Sequence, residues 1–446
     1  MYAIKLFCFK LRFLLILLTV AFLYLGWERW ILSIPQPLPQ KSTITVGKSD
    51  SLLRGSYYEA SIPPTGTAKY LSADYRLWLP DGVKTVRGLI VKQHGCGDSV
   101  AATGLEHAND LQWQALASKH HFALLGTKLS SGNQPCRNWA LLNSGSEGAF
   151  LKALSALAQK SRHPELDKVP WVLWGHSGGA DWAAQMLQKH PARTIAMVAM
   201  RCGGYTFSGT NSKLFGVPVL FAGGEKDPTV DECLNLPKKV FFRYRKAGAL
   251  WALAVEADTG HESGDTRLLA IPYLDAILTA RRQAHGTNLR PIDAAHGWLG
   301  NTVTHEVAQV DRYEENPLEA AWLPNEETAH KWQEYVTTGK ISPTLKPAAP
   351  TDVCPTRTGA TEVILTWNFT PDLENGLLSF HIYRNKSLIA TLQGQGHNFG
   401  DAAEPPNVTL EFRDKNATPN SIYTVAAFNV LGESASPSTS SCKGFP

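Results

Sequence analysis

No two of the seven cysteines stand in a C-x-x-C spacing, which speaks against a zinc ribbon or a thioredoxin-like redox centre. Net charge is nearly absent as well. The 446 residues sum to only +4, too little to suggest a nucleic acid or an acidic polymer as partner. What these absences leave is an ordinary globular composition, 43% hydrophobic and 18% charged. A chain of this length can form two or three domains with a sizeable core.

The N-terminus departs from that average. Lys5, Lys10 and Arg12 precede an apolar run over residues 13–27 that meets no charge until Glu28. A basic segment followed by such a run is an export signal. No small-residue A-x-A site follows it, so residues 1–30 are expected to be either a signal peptide or a retained signal anchor. Widened to residues 11–32, with interfacial Trp and Arg, the run can tether the chain to a membrane. Setting aside Cys8, the cysteines are Cys96, Cys136, Cys202, Cys233, Cys354 and Cys442. An even set in an exported chain suggests disulfides, with fifteen pairings open.

One stretch organises the rest: Val169-Pro170-Trp171-Val172-Leu173-Trp174-Gly175-His176-Ser177-Gly178-Gly179. An apolar strand pattern stops at G-x-S-x-G, and residues 180–187 read as a helix. Strand, tight turn and helix are the nucleophile elbow of an α/β-hydrolase. Ser177 sits on the strained turn, flanking glycines admit close backbone approach, and the helix N-terminus faces a developing oxyanion. The competing reading is a glycine-rich strand–helix turn without chemistry.

Residues 31–54, rich in Pro, Ser and Thr, read as a linker. Strands are expected at 57–62, 73–79, 86–93, 122–126, 194–200, 217–222 and 251–257, and helices at 111–120, 145–160 and 264–281. Strands alternating with helices predict a doubly wound, mostly parallel sheet over 55–284. Residues 285–349 form an irregular extension and linker with scattered tryptophans, no strand alternation and one helix at 326–336. Over 350–446, short strands separated by turns predict an all-β sandwich.

A serine nucleophile needs a base and the base an orienting carboxylate, in the chain order Ser, Asp/Glu, His for this fold. The strand at 217–222 runs into Gly223-Gly224-Glu225-Lys226-Asp227-Pro228. Asp227 is the expected carboxylate, with Glu225 and Asp231 as rivals and a turn-capping role as the alternative. His261, in a glycine-flanked loop after the last strand, is the expected base. His120, His121 and His190 fall at helix ends, where solvation is expected; His285, His296 and His305 lie in the extension. Oxyanion donors are expected from the Gly178 N–H and from the loop Gln93-His94-Gly95-Cys96-Gly97, Cys96 first and Gly95 next, with His94 bracing the loop. A disulfide from Cys96 to Cys136 would pin that loop, and one from Cys202 to Cys233 would pin the acid loop. Trp139, Trp182 and Trp298 either offer an apolar platform to substrate or pack the core.

The His-Gly-Cys loop and the Ser-Gly-Gly ending of the elbow resemble the secreted α/β-hydrolases of the polyhydroxybutyrate depolymerase and feruloyl esterase group. The resemblance covers about 55–282 and implies ester hydrolysis through an acyl-serine. His176 and Gly178 depart from that group's more usual box, which leaves the substrate open. Residues 350–446 resemble a fibronectin type III module. The matching residues are Pro350, the strand 363–367 with Trp367, the strand 380–385, Phe399 with Asp401, the strand 423–429, and Gly432-Glu433-Ser434. Tyr423 would be its corner tyrosine, bonded to backbone; a Cys354–Cys442 disulfide would account for two cysteines that most such modules lack. The function expected is an exported serine esterase acting on a small or polymer-linked ester, with no metal or organic cofactor. The alternatives are a peptidase of the same fold, for which no terminus-binding glutamate pair or propeller is seen, and a surface adhesion protein with an inert hydrolase domain.

Overall fold

The computed structural model describes residues 55–97, 103–132, 136–281, 288–370, 372–374, 379–393 and 410–435. The N-terminal apolar run, His285, Phe399, Asp401 and Cys442 lie outside the described residues. Among the described residues, no helix is long and apolar enough to cross a membrane.

Apolar runs with no polar partner face build a sheet covered on both sides. Thr194–Met200 is buried at every position, as is Val219–Gly224. These two, β6 and β7, join β1 (Gly55–Ser61), β2 (Ser72–Pro80), β3 (Leu89–Gln93), β4 (Ala123–Ser130), β5 (Trp171–His176) and β8 (Trp251–Glu256) in one eight-stranded sheet. The order is β1-β2-β4-β3-β5-β6-β7-β8. β1 pairs antiparallel with β2, and β2 with β4; every other pairing is parallel. A mixed, mostly parallel sheet of this kind, with helices between its strands, fits the α/β-hydrolase architecture. β4 runs to Ser130, past the expected 122–126, because Thr127 to Ser130 find partners in Ser72 to Tyr75 of β2.

Helices Leu111–His120, Ser146–Ser161, Gly178–Lys189 and Thr266–Arg281 follow the expected periodicity. The first is capped by Asp110, whose carboxylate accepts from the Gln112 and Trp113 amides. The helix Leu236–Lys246 was not expected. Its buried Val240, Phe241 and Tyr244 are interleaved with five basic residues, which hide the apolar stripe.

The extension holds more structure than its sequence predicts. Three strands of three residues, β9 (Trp298–Gly300), β10 (Val307–Gln309) and β11 (Ala321–Leu323), form an antiparallel sheet of order β10-β9-β11. Three residues are too few for alternation to register. The helix Glu326–Thr338 follows, capped by Asn325 on the Thr328 amide. Ala321, Leu323, Trp332 and Tyr335 belong to the same buried core as the large sheet. The buried Arg245 guanidinium donates to the Ala320 carbonyl at 2.6 Å and to that of Pro317.

Further on, β12 (Thr351–Arg357), β13 (Val363–Asn368) and β16 (Glu411–Asp414) form a three-stranded antiparallel sheet. β14 (Ser379–Arg384), β15 (Ser387–Gln393), β17 (Tyr423–Asn429) and β18 (Gly432–Glu433) form a four-stranded one. Two such sheets are compatible with a β-sandwich, and their buried residues Trp367, Phe380 and Tyr423 share one core. The Tyr423 hydroxyl corrects an expectation: it donates to the Asp414 carboxylate at 2.6 Å, not to backbone. Asp414, also paired with Arg384 at 2.8 Å, supplies a stronger acceptor there than a carbonyl.

Where β3, β5 and the helix Gly178–Lys189 meet, backbones touch. A Cβ on Gly179 would lie 2.4 Å from the carbonyl oxygens of both Gln93 and His94. One on Gly175 would lie 2.2 Å from the Gly179 oxygen. Backbone cannot swing aside as a side chain can. Gly179→Ala is therefore expected to lose about 3 kcal/mol of stability, the upper end for overpacking, measured as a lower urea midpoint at unchanged slope.

Candidate active site

Ser177 joins β5 to the helix Gly178–Lys189 at φ 54° and ψ −122°, a conformation costly for any residue with a Cβ. Its amide donates to the Met200 carbonyl at 2.9 Å, which ties the turn to the end of β6. The strain lifts the hydroxyl out of the strand end. His261 Nε2 lies 2.9 Å from Ser177 Oγ, and its Nδ1 lies 2.8 Å from Asp227 Oδ2. With the carboxylate accepting at Nδ1–H, Nε2 is left to accept the serine proton.

Asp227 leaves the C-terminal end of β7, and Thr229 secures it. The Thr229 amide and hydroxyl both donate to Asp227 Oδ1, at 2.8 and 2.7 Å. Burial alone would raise the Asp227 carboxyl; the bonds from Thr229 and then His261 outweigh it and hold the group below the usual carboxylate range. The rival acids are elsewhere. Glu225 accepts from the Asp258 amide, and Asp231 accepts from the Asn235 side chain.

Cys96 is bonded to Cys136, and Cys202 to Cys233. The first disulfide lies against Gly178: a Cβ there would fall 2.3 Å from Cys96 Sγ and 2.7 Å from Cys136 Sγ. Both disulfides, with Ser177, Gly178, His261, Ala140, Leu141, Asp181, Tyr205, Thr229 and Glu232, line a cavity of about 310 Å³. Cys96 and Gly178 thus face the space beside the hydroxyl. Gly95 is absent from that lining; it sits under the cleft, where its Cβ would meet His176 Nδ1 at 2.8 Å. His94 is buried, donates from Nδ1 to the Gly95 carbonyl at 2.6 Å and accepts the Leu129 amide at Nε2, with the Trp139 ring tilted against it at 4.8 Å.

Asp227, Cys233 and His261 also come close enough for a shared ion, but the disulfide at Cys233 removes the thiolate that a metal would need. Trp139 and Trp182 are buried in the core; Trp298 lies against His330, away from the cavity. His120 is buried against Asp275 at 2.7 Å rather than solvated, and His190 is bonded to Glu147. His296 is exposed and His305 packs on Trp332.

Three supporting residues were not picked out from the sequence. His176 turns inward, and its Nε2 donates to the His261 carbonyl at 2.8 Å. Arg201, fully buried just past β6, donates from Nε to the Glu262 carbonyl at 2.9 Å. Glu256 at the end of β8 pairs with Arg201 at 2.6 Å. Of these only His176 had a signal, its place inside the elbow.

No family model matches the chain, and no curated protein matches it. Solved structures do. A ferulic acid esterase aligns at 14% identity over 50% of this chain and 99% of its own, with a TM-score of 0.38. An S-formylglutathione hydrolase from Staphylococcus aureus aligns at 12% over 51% and 95%, TM-score 0.34. A cold-adapted esterase from an Arctic intertidal metagenomic library aligns at 17% over 50% and 94%, TM-score 0.33.

Burial lowers the pKa of both His94 and His176 to about 4. Unfolded, each titrates near its ordinary 6.5 and so binds a proton that the folded protein refuses between those values. Stability then rises with pH across this window and is lost as pH falls through it. A loss on the order of 3 kcal/mol per histidine is expected between pH 7 and pH 4. Urea unfolding at a series of pH values measures it, and His94→Gln should remove about half of the slope.

Proposed function

We propose that the chain is a serine hydrolase of carboxylic esters. The observation that carries this is the continuous chain of hydrogen bonds from Ser177 through His261 to Asp227, with Ser177 and His261 lining an open cavity. Ser177 Oγ attacks the ester carbonyl carbon while its proton passes to His261 Nε2, and Asp227 stabilises the imidazolium. The Gly178 and Cys96 amides take the oxyanion. Collapse breaks the carbon–alcohol bond, and the proton on Nε2 leaves with the alcohol. A water then gives its proton to Nε2, attacks the acyl-serine and releases the acid, with the serine recovering the proton.

The substrate is a small ester or an acyl group carried on a polysaccharide or polyester, and no metal or organic cofactor takes part. The C-terminal sheets are read as a fibronectin type III-like module after a catalytic domain of residues 55–284. The chain is exported, with its N-terminal segment cleaved or kept as a tether; the two disulfides at the cleft support an oxidising compartment. Against an inert adhesion protein stands the intact bonding of all three residues.

A fluorophosphonate probe and short p-nitrophenyl esters test the reading. Wild type should label at Ser177 and turn over ester; Ser177→Ala should do neither. Asp227→Asn should lower kcat by roughly 10⁴-fold, since the wrong imidazole tautomer then faces the serine. Folded wild type that neither labels nor turns over ester would sink the proposal.

A further inference from the structure

The loop that carries His261 is gripped at two consecutive carbonyls. His176 holds that of residue 261 at 2.8 Å and Arg201 that of residue 262 at 2.9 Å. Arg201 also reaches the carbonyls of Ala222 at 3.3 Å and Ser263 at 3.4 Å. Its guanidinium is fully buried, and its countercharge is Glu256, 2.6 Å away. Glu256 Oε1 accepts the Asp265 amide at 2.7 Å, again in the His261 loop. Its other oxygen, the one on Arg201, accepts the Tyr335 hydroxyl at 2.7 Å. Tyr335 belongs to the extension, is completely buried, and also meets Thr266 Oγ1 at 3.2 Å. Burial, reinforced by the Glu256 charge, keeps its phenol protonated far above neutral pH, so it remains a donor.

Resting on the hydrolase reading above, we propose that Tyr335 is a positioning residue for His261, acting through Glu256 and Arg201. The extension is then part of the catalytic unit, not a spacer leading to the C-terminal sheets. The physical reason is the buried ion pair. A carboxylate buried opposite a guanidinium needs several donors to replace the water it has lost, and only while Arg201 is fixed does its fork set the carbonyls after His261. A loop shift well under an ångström moves Nε2 off the line to Ser177 Oγ, and such misplacement is costly to rate even when it starts far from the chemistry.

Tyr335→Phe keeps the ring and removes one donor. For the full chain with p-nitrophenyl acetate, kcat is expected to fall about tenfold with KM little changed. The rate of fluorophosphonate labelling should fall by the same factor, while the final titre of labelled Ser177 stays complete. Arg201→Lys keeps the charge but loses the fork, and should fall further. A purely structural role gives the opposite pattern, a reduced titre at wild-type rate, and that result overturns the proposal, as does an unchanged kcat in folded Tyr335→Phe. Should Tyr335→Phe fail to fold, Arg201→Lys carries the same rate-against-titre comparison. Wild type that does not label at all removes the hydrolase reading and this inference with it; active wild type with indifferent variants removes only the inference.

Discussion

Backbone touching backbone at the end of the sheet is the constraint on which everything else rests. Gly175 and Gly179 let β5, β3 and the helix after Ser177 come together at separations that no side chain could enter. That closeness forces Ser177 into its positive-φ turn and aims the helix amides at the cavity. It also places the loop after β3, with Cys96, beside the hydroxyl.

The histidine and its carboxylate arrive by a different route. Each sits on a loop, and a loop has no ladder of hydrogen bonds to fix it. Compensation comes from side chains: Thr229 for Asp227, and His176 with Arg201 for the loop of His261. Arg201 is a paired group in a dry interior, where a hydrogen bond is stiff and an unmet one expensive; Thr229 is exposed and acts at the cavity itself. Precision at the cleft thus draws on His176 and Arg201, outside the cavity lining, as well as on Thr229 within it.

This division explains what could be read from the sequence. Ser177, Asp227 and His261 were legible because each follows a buried apolar run and stands among glycines, so local pattern alone places it at a strand end. The parallel strands were legible for the same reason. Arg201, Glu256 and Tyr335 were not, because their partners are remote in the chain and no spacing encodes the contact; Thr229, only two residues from Asp227, was overlooked beside the rival acids. Tyr335 lies 79 residues beyond Glu256. The three-residue strands of the extension and the basic-masked helix Leu236–Lys246 escaped because their apolar signal is short or interrupted. His120 was misjudged since a helix end says nothing of Asp275, which arrives from another helix to bury it.

Two sulfur bridges share the lining of the cleft with side chains such as Leu141 and Tyr205. Such bridges come into being in one chemical event and then stop adjusting. A newly made chain whose thiols are still reduced has its serine, histidine and aspartate but no finished vessel around them. Disulfide formation is then one of the steps that shapes the cleft.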